Sequence, residues 1–287
     1  MSPPQVVVGI DGSVPSFGAL DVAAGEARLR TARLDVITCV GDPDEAGPVL
    51  RAAAARLARR HPGVPVTTSS AVGDPAAVLA ERGAGAALTV VGSRHVRGAA
   101  GLLLHSVSRR LAARTVAPLL VVPGAGLPTA PRRHRAGGLL LGLESDADAD
   151  AALFAFEEAA LRGARLDVLH AWTYRPPPPG AAGGRPGPPH DPAGHRAGAG
   201  AASAAGLLAP LCRSSPHQAL HSGTVPSTPC RALIAATSQA DLVVIGTRAG
   251  RGGNGSPPGP VARALLRHAH CPVVLVPALA AGGRPGG

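Results

Sequence analysis

The sequence predicts an α/β protein built as two tandem copies of a parallel sheet with helices on both faces. Three observations predict it. Short continuous apolar runs alternate with helix-period segments, as strands buried on both faces alternate with crossover helices. Most of the strand motifs recur once, in the same order, far along the chain. Each copy also carries a Gly-rich loop directly after an apolar run, the layout of a strand followed by an anion-cradling turn.

In chain order, Val6–Ile10 is the first buried run, and Asp11-Gly12-Ser13 ends it. Phe17, Leu20, Ala24 and Ala27 recur at helical spacing, which predicts a helix over Ser16–Arg30. Leu34–Val40 is the second strand, and Val49–Arg60 an Ala- and Arg-rich helix. A weaker strand follows at Val66–Ala71, then a helix from Pro75, well placed in a first turn, to Arg82. Leu88–Val91 is the fourth strand, broken at Gly92; Ser106–Arg114 is the fourth helix and Leu119–Val122 the fifth strand.

The pattern then repeats. VVVGIDGS at Val6 is answered by LLLGLESD at Leu139, LDVITCV at Leu34 by LDVLHAW at Leu166, ALTVVGSR at Ala87 by DLVVIGTR at Asp241, and APLLVVP at Ala117 by CPVVLVP at Cys271. The spacing is 133 residues at Gly9/Gly142 and 132 at Leu34/Leu166, but 154 at Gly92/Gly246 and Pro118/Pro272, so about 22 residues are inserted in the second copy. A period this long means duplicated domains rather than a solenoid. The expected organisation is a first domain over 1–124, a linker over 125–135, a second domain over 136–280 and a tail over 281–287. The Pro- and Gly-rich insertion at 175–200 reads as a disordered loop.

Composition narrows the function. The formal charge of +10 comes from dispersed arginines with no lysine, and only 2% of residues are aromatic, so base stacking has little to work with and nucleic acid is a poor partner. Cys39, Cys212, Cys230 and Cys271 are widely spaced, which fits packing in a reducing compartment better than disulfides or zinc. The start, MSPPQVVVGI, has no basic n-region, and no apolar run reaches the ~20 residues of a membrane helix. The expectation is a cytoplasmic protein without membrane association.

The stretch Val90–Ser108, VVGSRHVRGAAGLLLHSVS, resembles the signature loop of the universal stress protein family, whose ATP-binding members carry Gly-x2-Gly-x9-Gly-Ser/Thr. Here the frame falls on Gly92, His95, His105 and Ser106: the ends are kept and both inner glycines are histidines. VGIDGS, the VVGSR loop and the closing LLVVP occur in the family's order, and the resemblance spans nearly the whole chain. It implies a five-stranded parallel sheet of order 3-2-1-4-5 in each domain, with a site beyond strands 1 and 4, where crossovers leave in opposite directions. It further implies an adenine-nucleotide (ATP)-responsive regulator in the stress response, without catalytic residues. The two closing strands would pair the domains within the chain, and a homodimer is a further partner state.

Carried over by position, the first site comprises Asp11, Gly12, Ser13, Val40, Gly92, Ser93, Arg94, His95, His105, Ser106 and Val107. Asp11 would contact the adenosine part, the glycines admit phosphates, and Ser106 hold one; the other reading of Asp11 is an Asx turn after a strand. The histidines either donate to phosphate or face solvent in a loop no longer selected for ATP. The second site is degenerate. Gly142, Glu144, Gly246, Thr247, Arg248 and Gly259 occupy its places, Ser145 replaces the glycine, Ala249 stands at an inner position, and Pro260 removes a hydroxyl and an N–H. Alternatives are a nucleotide-free interaction module and a slow ATPase; for the latter no base or metal carboxylate is identifiable, and Ser106, His105 and Asp11 lack the Gly-x-Ser-x-Gly elbow of a hydrolase. His268-Ala-His270-Cys271 reads as a helix end rather than a metal site, and Glu157-Glu158 with Asp146, Asp148 and Asp150 as a solvated helix start.

Overall fold

The computed structural model describes residues 3–93, 106–124, 138–143, 148–172, 206–213, 220–226, 228–247 and 257–278. The linker, the insertion at 175–200 and the tail lie outside the described residues. In chain order the first half runs β1 (Gln5–Ile10), α1 (Val14–Leu29), β2 (Arg33–Val40), α2 (Ala46–Arg60), β3 (Val66–Val72), α3 (Pro75–Gly83), β4 (Leu88–Ser93), α4 (Val107–Ala112) and β5 (Leu119–Pro123). The second runs β6 (Gly138–Leu143), α5 (Ala149–Arg162), β7 (Arg165–Trp172), α6 (206–213), β8 (Leu220–Pro226), α7 (Pro229–Ala236), β9 (Leu242–Thr247), α8 (Pro260–His268) and β10 (Val273–Pro277).

Each half is a parallel sheet of order 3-2-1-4-5, and the halves join into one ten-stranded sheet, β3-β2-β1-β4-β5-β10-β9-β6-β7-β8. The join is antiparallel: Leu119, Leu120 and Val121 pair with Leu275, Val274 and Val273. Leu120 and Val274 are equivalent residues of the two copies, so the pairing is centred on a pseudo-twofold axis. The carboxyl ends of the two halves therefore face opposite edges of the sheet.

Side chains alternate across the strands and define two cores. Val6 and Val8 point with Val36 and Leu120 toward α1, α2, α5 and α6, whereas Val7, Ile37 and Leu119 point toward α3, α4, α7 and α8. With few aromatics, Leu, Val and Ala fill both; Ala19, Ala23, Ala24 and Ala27 are fully buried on α1 and let it lie close to the sheet. On its outer side Asp21 accepts from Arg56 Nε at 2.8 Å and Nη2 at 2.7 Å and also pairs with Arg60, tying α1 to α2. Burial alone would raise the Asp21 carboxyl, but the Arg56 hydrogen bonds and the two guanidinium charges outweigh it and hold the group below its ordinary range.

Two expectations need correction. Gly92 does not break β4: it pairs with Val122 and Ser93 with Pro123, because the glycine serves close packing rather than a turn. Glu158 is not on a solvated face; it is 3% exposed and held by Arg30 and Arg162. His268 ends α8, and His270 donates its backbone N–H to Thr237 Oγ1 at 3.0 Å. Cys39, Cys212 and Cys230 are free thiols, and burial pushes the Cys39 thiol up, away from the reactive thiolate.

The duplication supplies an internal comparison at Thr89. Its N–H donates to Pro118 O at 2.9 Å, as that of Val243 donates to Pro272 O at 3.0 Å, and both residues are fully buried. The second copy thus places an isosteric methyl where the first has a hydroxyl, and among the described residues Thr89 Oγ1 finds no partner. Thr89→Val should raise unfolding stability by about 1 kcal/mol, since a buried unmet hydroxyl costs ~1–3 kcal/mol. Urea denaturation checks this, and a loss of stability would show that the hydroxyl is bonded.

Candidate functional site

The first switch point is built from the ends of β1 and β4. These strands pair from Val6↔Leu88 to Gly9↔Val91 and then part, while β4 continues alongside β5 as far as Ser93↔Pro123. The start of α1 drops into the gap. Gly92 lies so close to it that a Cβ would stand 2.7 Å from Pro15 O and 3.2 Å from Ser16 N. Gly124 is equally confined, with a Cβ position 2.3 Å from Ser93 O. Both glycines are there because backbone meets backbone.

Between β1 and α1 the turn is internally wired. Asp11 Oδ1 accepts from Ser13 N at 3.0 Å and from Ser13 Oγ at 2.5 Å, an Asx turn. Gly12 sits at φ +79°, in the left-handed region, and a Cβ there would press within 3.1 Å of Val49 Cγ2 on α2. Ser13 caps α1, its Oγ accepting from Ser16 N at 3.4 Å, and Ser16 Oγ donates back to Ser13 O at 2.8 Å. Asp11 and Gly12 are exposed and Ser13 is half-buried, so the turn is rigid yet open to a ligand.

The structure thus brings Asp11, Gly12 and Ser13 together with Gly92 and Ser93. Val40 closes β2 at the same carboxyl end. Ser106 heads α4, which follows β4; its Oγ accepts from Arg109 N at 3.4 Å, and Val107 packs into the α3/α4 core. Arg94, His95 and His105 lie outside the described residues. Sequence reasoning passed over Pro15, Val49 and Gly124, which shape this crevice. Their signal is spatial: each acts on a residue more than two positions away.

In the second copy Gly142 sits inside β6, where a Cβ would come within 2.9 Å of Leu233 Cδ2, so its place is one of packing. Gly246 ends β9 beside Thr247, and here the neighbour is acidic: a Cβ on Gly246 would stand 2.2 Å from Asp148 Oδ1. Asp148 occupies the position of Pro15, so a carboxylate replaces a carbonyl at the switch point. Gly259 precedes α8 with no side-chain cap, and Pro260 is the first helical residue. Glu144, Ser145, Arg248 and Ala249 lie outside the described residues. No group of three or more His, Cys, Asp or Glu side chains able to hold a metal ion assembles among the described residues.

Comparison with known proteins places this geometry in a family. A universal stress protein of Mycobacterium tuberculosis is 28% identical over 293 residues, covering 94% of this chain and 96% of the relative. One from Mycolicibacterium smegmatis is 29% identical over 295 residues, with coverage of 94% and 96%. The crystal structure of a universal stress protein from Archaeoglobus fulgidus superposes with a TM-score of 0.65 across 97% of this chain and 100% of that one; at 15% identity the likeness is one of fold. The model of the universal stress protein family matches residues 4–123 and again 139–277, so the chain belongs to that family and carries it twice.

Proposed function

We propose that this protein is an adenine-nucleotide-responsive regulator of the stress response that binds ATP mainly in its first repeat and does not turn it over. The observation that carries the reading is the open, pre-wired Asp11-Gly12-Ser13 turn beside the parting of β1 and β4, the place where open parallel sheets bind ligands. Asp11 offers a carboxylate toward a ribose hydroxyl, and Val40 and Val49 offer an apolar flank for a base. Gly92 and Ser93 supply backbone at the mouth of the loop. The two repeats would act as one paired unit. A cytoplasmic location belongs to the same proposal; no described helix is long and apolar enough to cross a membrane.

The rival is a nucleotide-free interaction module, and one observation favours it: Asp11 Oδ1 already accepts two bonds from Ser13. The test is to denature the purified protein, identify any released nucleotide by mass spectrometry, and titrate the emptied protein with ATP. Released adenine nucleotide, with saturable rebinding, supports the proposal. No nucleotide and no heat of binding would leave the interaction module.

A further inference from the structure

Two helices face each other across the pseudo-twofold axis, and their contact is ionic. Glu26 on α1 and Arg30 at its C-cap pair with one another at i, i+4, and so do Glu158 and Arg162 on α5. Across the repeats Arg30 pairs with Glu158 and Arg162 with Glu26. Glu158 and Arg162 follow Glu26 and Arg30 by 132 residues each, the spacing of Leu34/Leu166, so these are the same two positions of the duplicated unit. The side chains of the glutamates are 7% and 3% exposed, and Arg30 is 10% exposed. Beneath them, toward the same face, lie Leu120 and Val274, the central pair of the β5–β10 join.

Arg162 is more open, with a side chain 28% exposed, but burying the two glutamates and Arg30 is a poor route to stability, because desolvation offsets most of the attraction; removing one partner is nevertheless severe. Such clusters are better suited to specifying which surfaces meet. The pattern here is self-complementary, Glu to Arg in both directions about a twofold axis. It therefore fits the other repeat of the same chain and, equally, the same repeat of a second copy.

We infer that Glu26, Arg30, Glu158 and Arg162 form a charge lock that dictates how the two repeats pair, and that reversing it on one repeat redirects the chain to pair with a second copy of itself. Exchanging Glu26→Arg with Arg30→Glu keeps the i, i+4 pair at the end of α1 but sets like charges against α5 in both cross-repeat contacts. The exchanged α1 remains complementary to the exchanged α1 of another chain, and the unaltered α5 to another α5. Exchange on both repeats restores all four contacts.

The test uses the full chain in four forms: wild type, Glu26→Arg/Arg30→Glu, Glu158→Arg/Arg162→Glu, and all four changes together. Each single-repeat exchange should melt at least ~5 °C below wild type, as expected for unpaired buried charge in a protein of this size. Each should also associate at least tenfold more tightly with a second copy in analytical ultracentrifugation. The fourfold variant should return to the wild-type melting temperature and association. A single-repeat exchange that fails to fold still leaves the fourfold variant as the deciding measurement. The inference is overturned if the fourfold variant is no more stable than the single-repeat exchanges, or if a folded single-repeat exchange associates no more tightly than the wild type.

Discussion

Gly92→Ala should destabilise the protein by about 2–3 kcal/mol, at the upper end of the cost of over-packing a close contact. A Cβ at this position meets Pro15 O at 2.7 Å, Pro15 C at 3.0 Å and Ser16 N at 3.2 Å, all backbone atoms in the first turn of α1. Nothing there can rotate aside; either α1 shifts off the sheet or β4 leaves β5. A shift of α1 drags the Asp11-Gly12-Ser13 turn with it, since Ser13 both closes that turn and caps the helix. ATP affinity should therefore fall at least about tenfold, or ~1.4 kcal/mol. The equivalent change in the second copy, Gly246→Ala, provides the control. Its nearest obstacle is the Asp148 carboxylate, a side-chain tip, whereas the Asp148 Cα stands back at 3.6 Å. Rotation of that side chain relieves the contact where no rotation of the Pro15 backbone could, so the loss should be smaller than that of Gly92→Ala. Urea denaturation of both variants decides; equal losses would mean that the two glycines meet equivalent obstacles.

Gly92 also marks how far the sequence could be read. The strands were legible because a parallel sheet buried on both faces demands uninterrupted apolar runs, and Val6–Ile10 or Leu242–Ile245 can be little else. A glycine at the end of such a run is ambiguous: it signals a turn or a close approach, and only the position of Pro15 selects the second. Strand order was no property of spacing and followed from the family resemblance. β8 was not recognised, because LHSGTVP contains Gly223 and Pro226 and is held as an edge strand by its pairing with β7. Glu157 and Glu158 show the same limit at single-residue scale. Adjacent acids on a helix look alike in sequence, but Glu157 is exposed and Glu158 meets Arg30, 128 residues away. Of the candidate site, Asp11-Gly12-Ser13 was legible as a local turn whose partners lie within three residues. Val49 and Gly124, brought in from distant elements, were not.

ATP should bind the first repeat in preference to the second, by roughly ten- to a hundredfold. The first keeps Asp11, Gly12, Gly92 and Ser106, with a wired turn at one end and a serine-capped helix at the other. The second has Glu144, Ser145 and Pro260 at three of these places, and the helix behind Gly259 has no side-chain cap. Proline removes one N–H that could meet an anion, and leaving a charged acceptor poorly paired costs about 1.5–3 kcal/mol. The structure adds a second handicap. Asp148 places a carboxylate against Gly246 where the first repeat presents only the carbonyl of Pro15, so a polyphosphate approaching that loop meets like charge. Calorimetric titration of ATP into the wild type, Asp11→Ala and Glu144→Ala separates the sites. Asp11→Ala should remove most of the high-affinity heat, and Glu144→Ala should leave it intact. Equal losses, or a loss confined to Glu144→Ala, would refute the ranking. Asp148→Asn removes that charge: it should raise any residual second-site affinity while leaving the first site unchanged, and no change would assign the difference to Pro260 and Glu144.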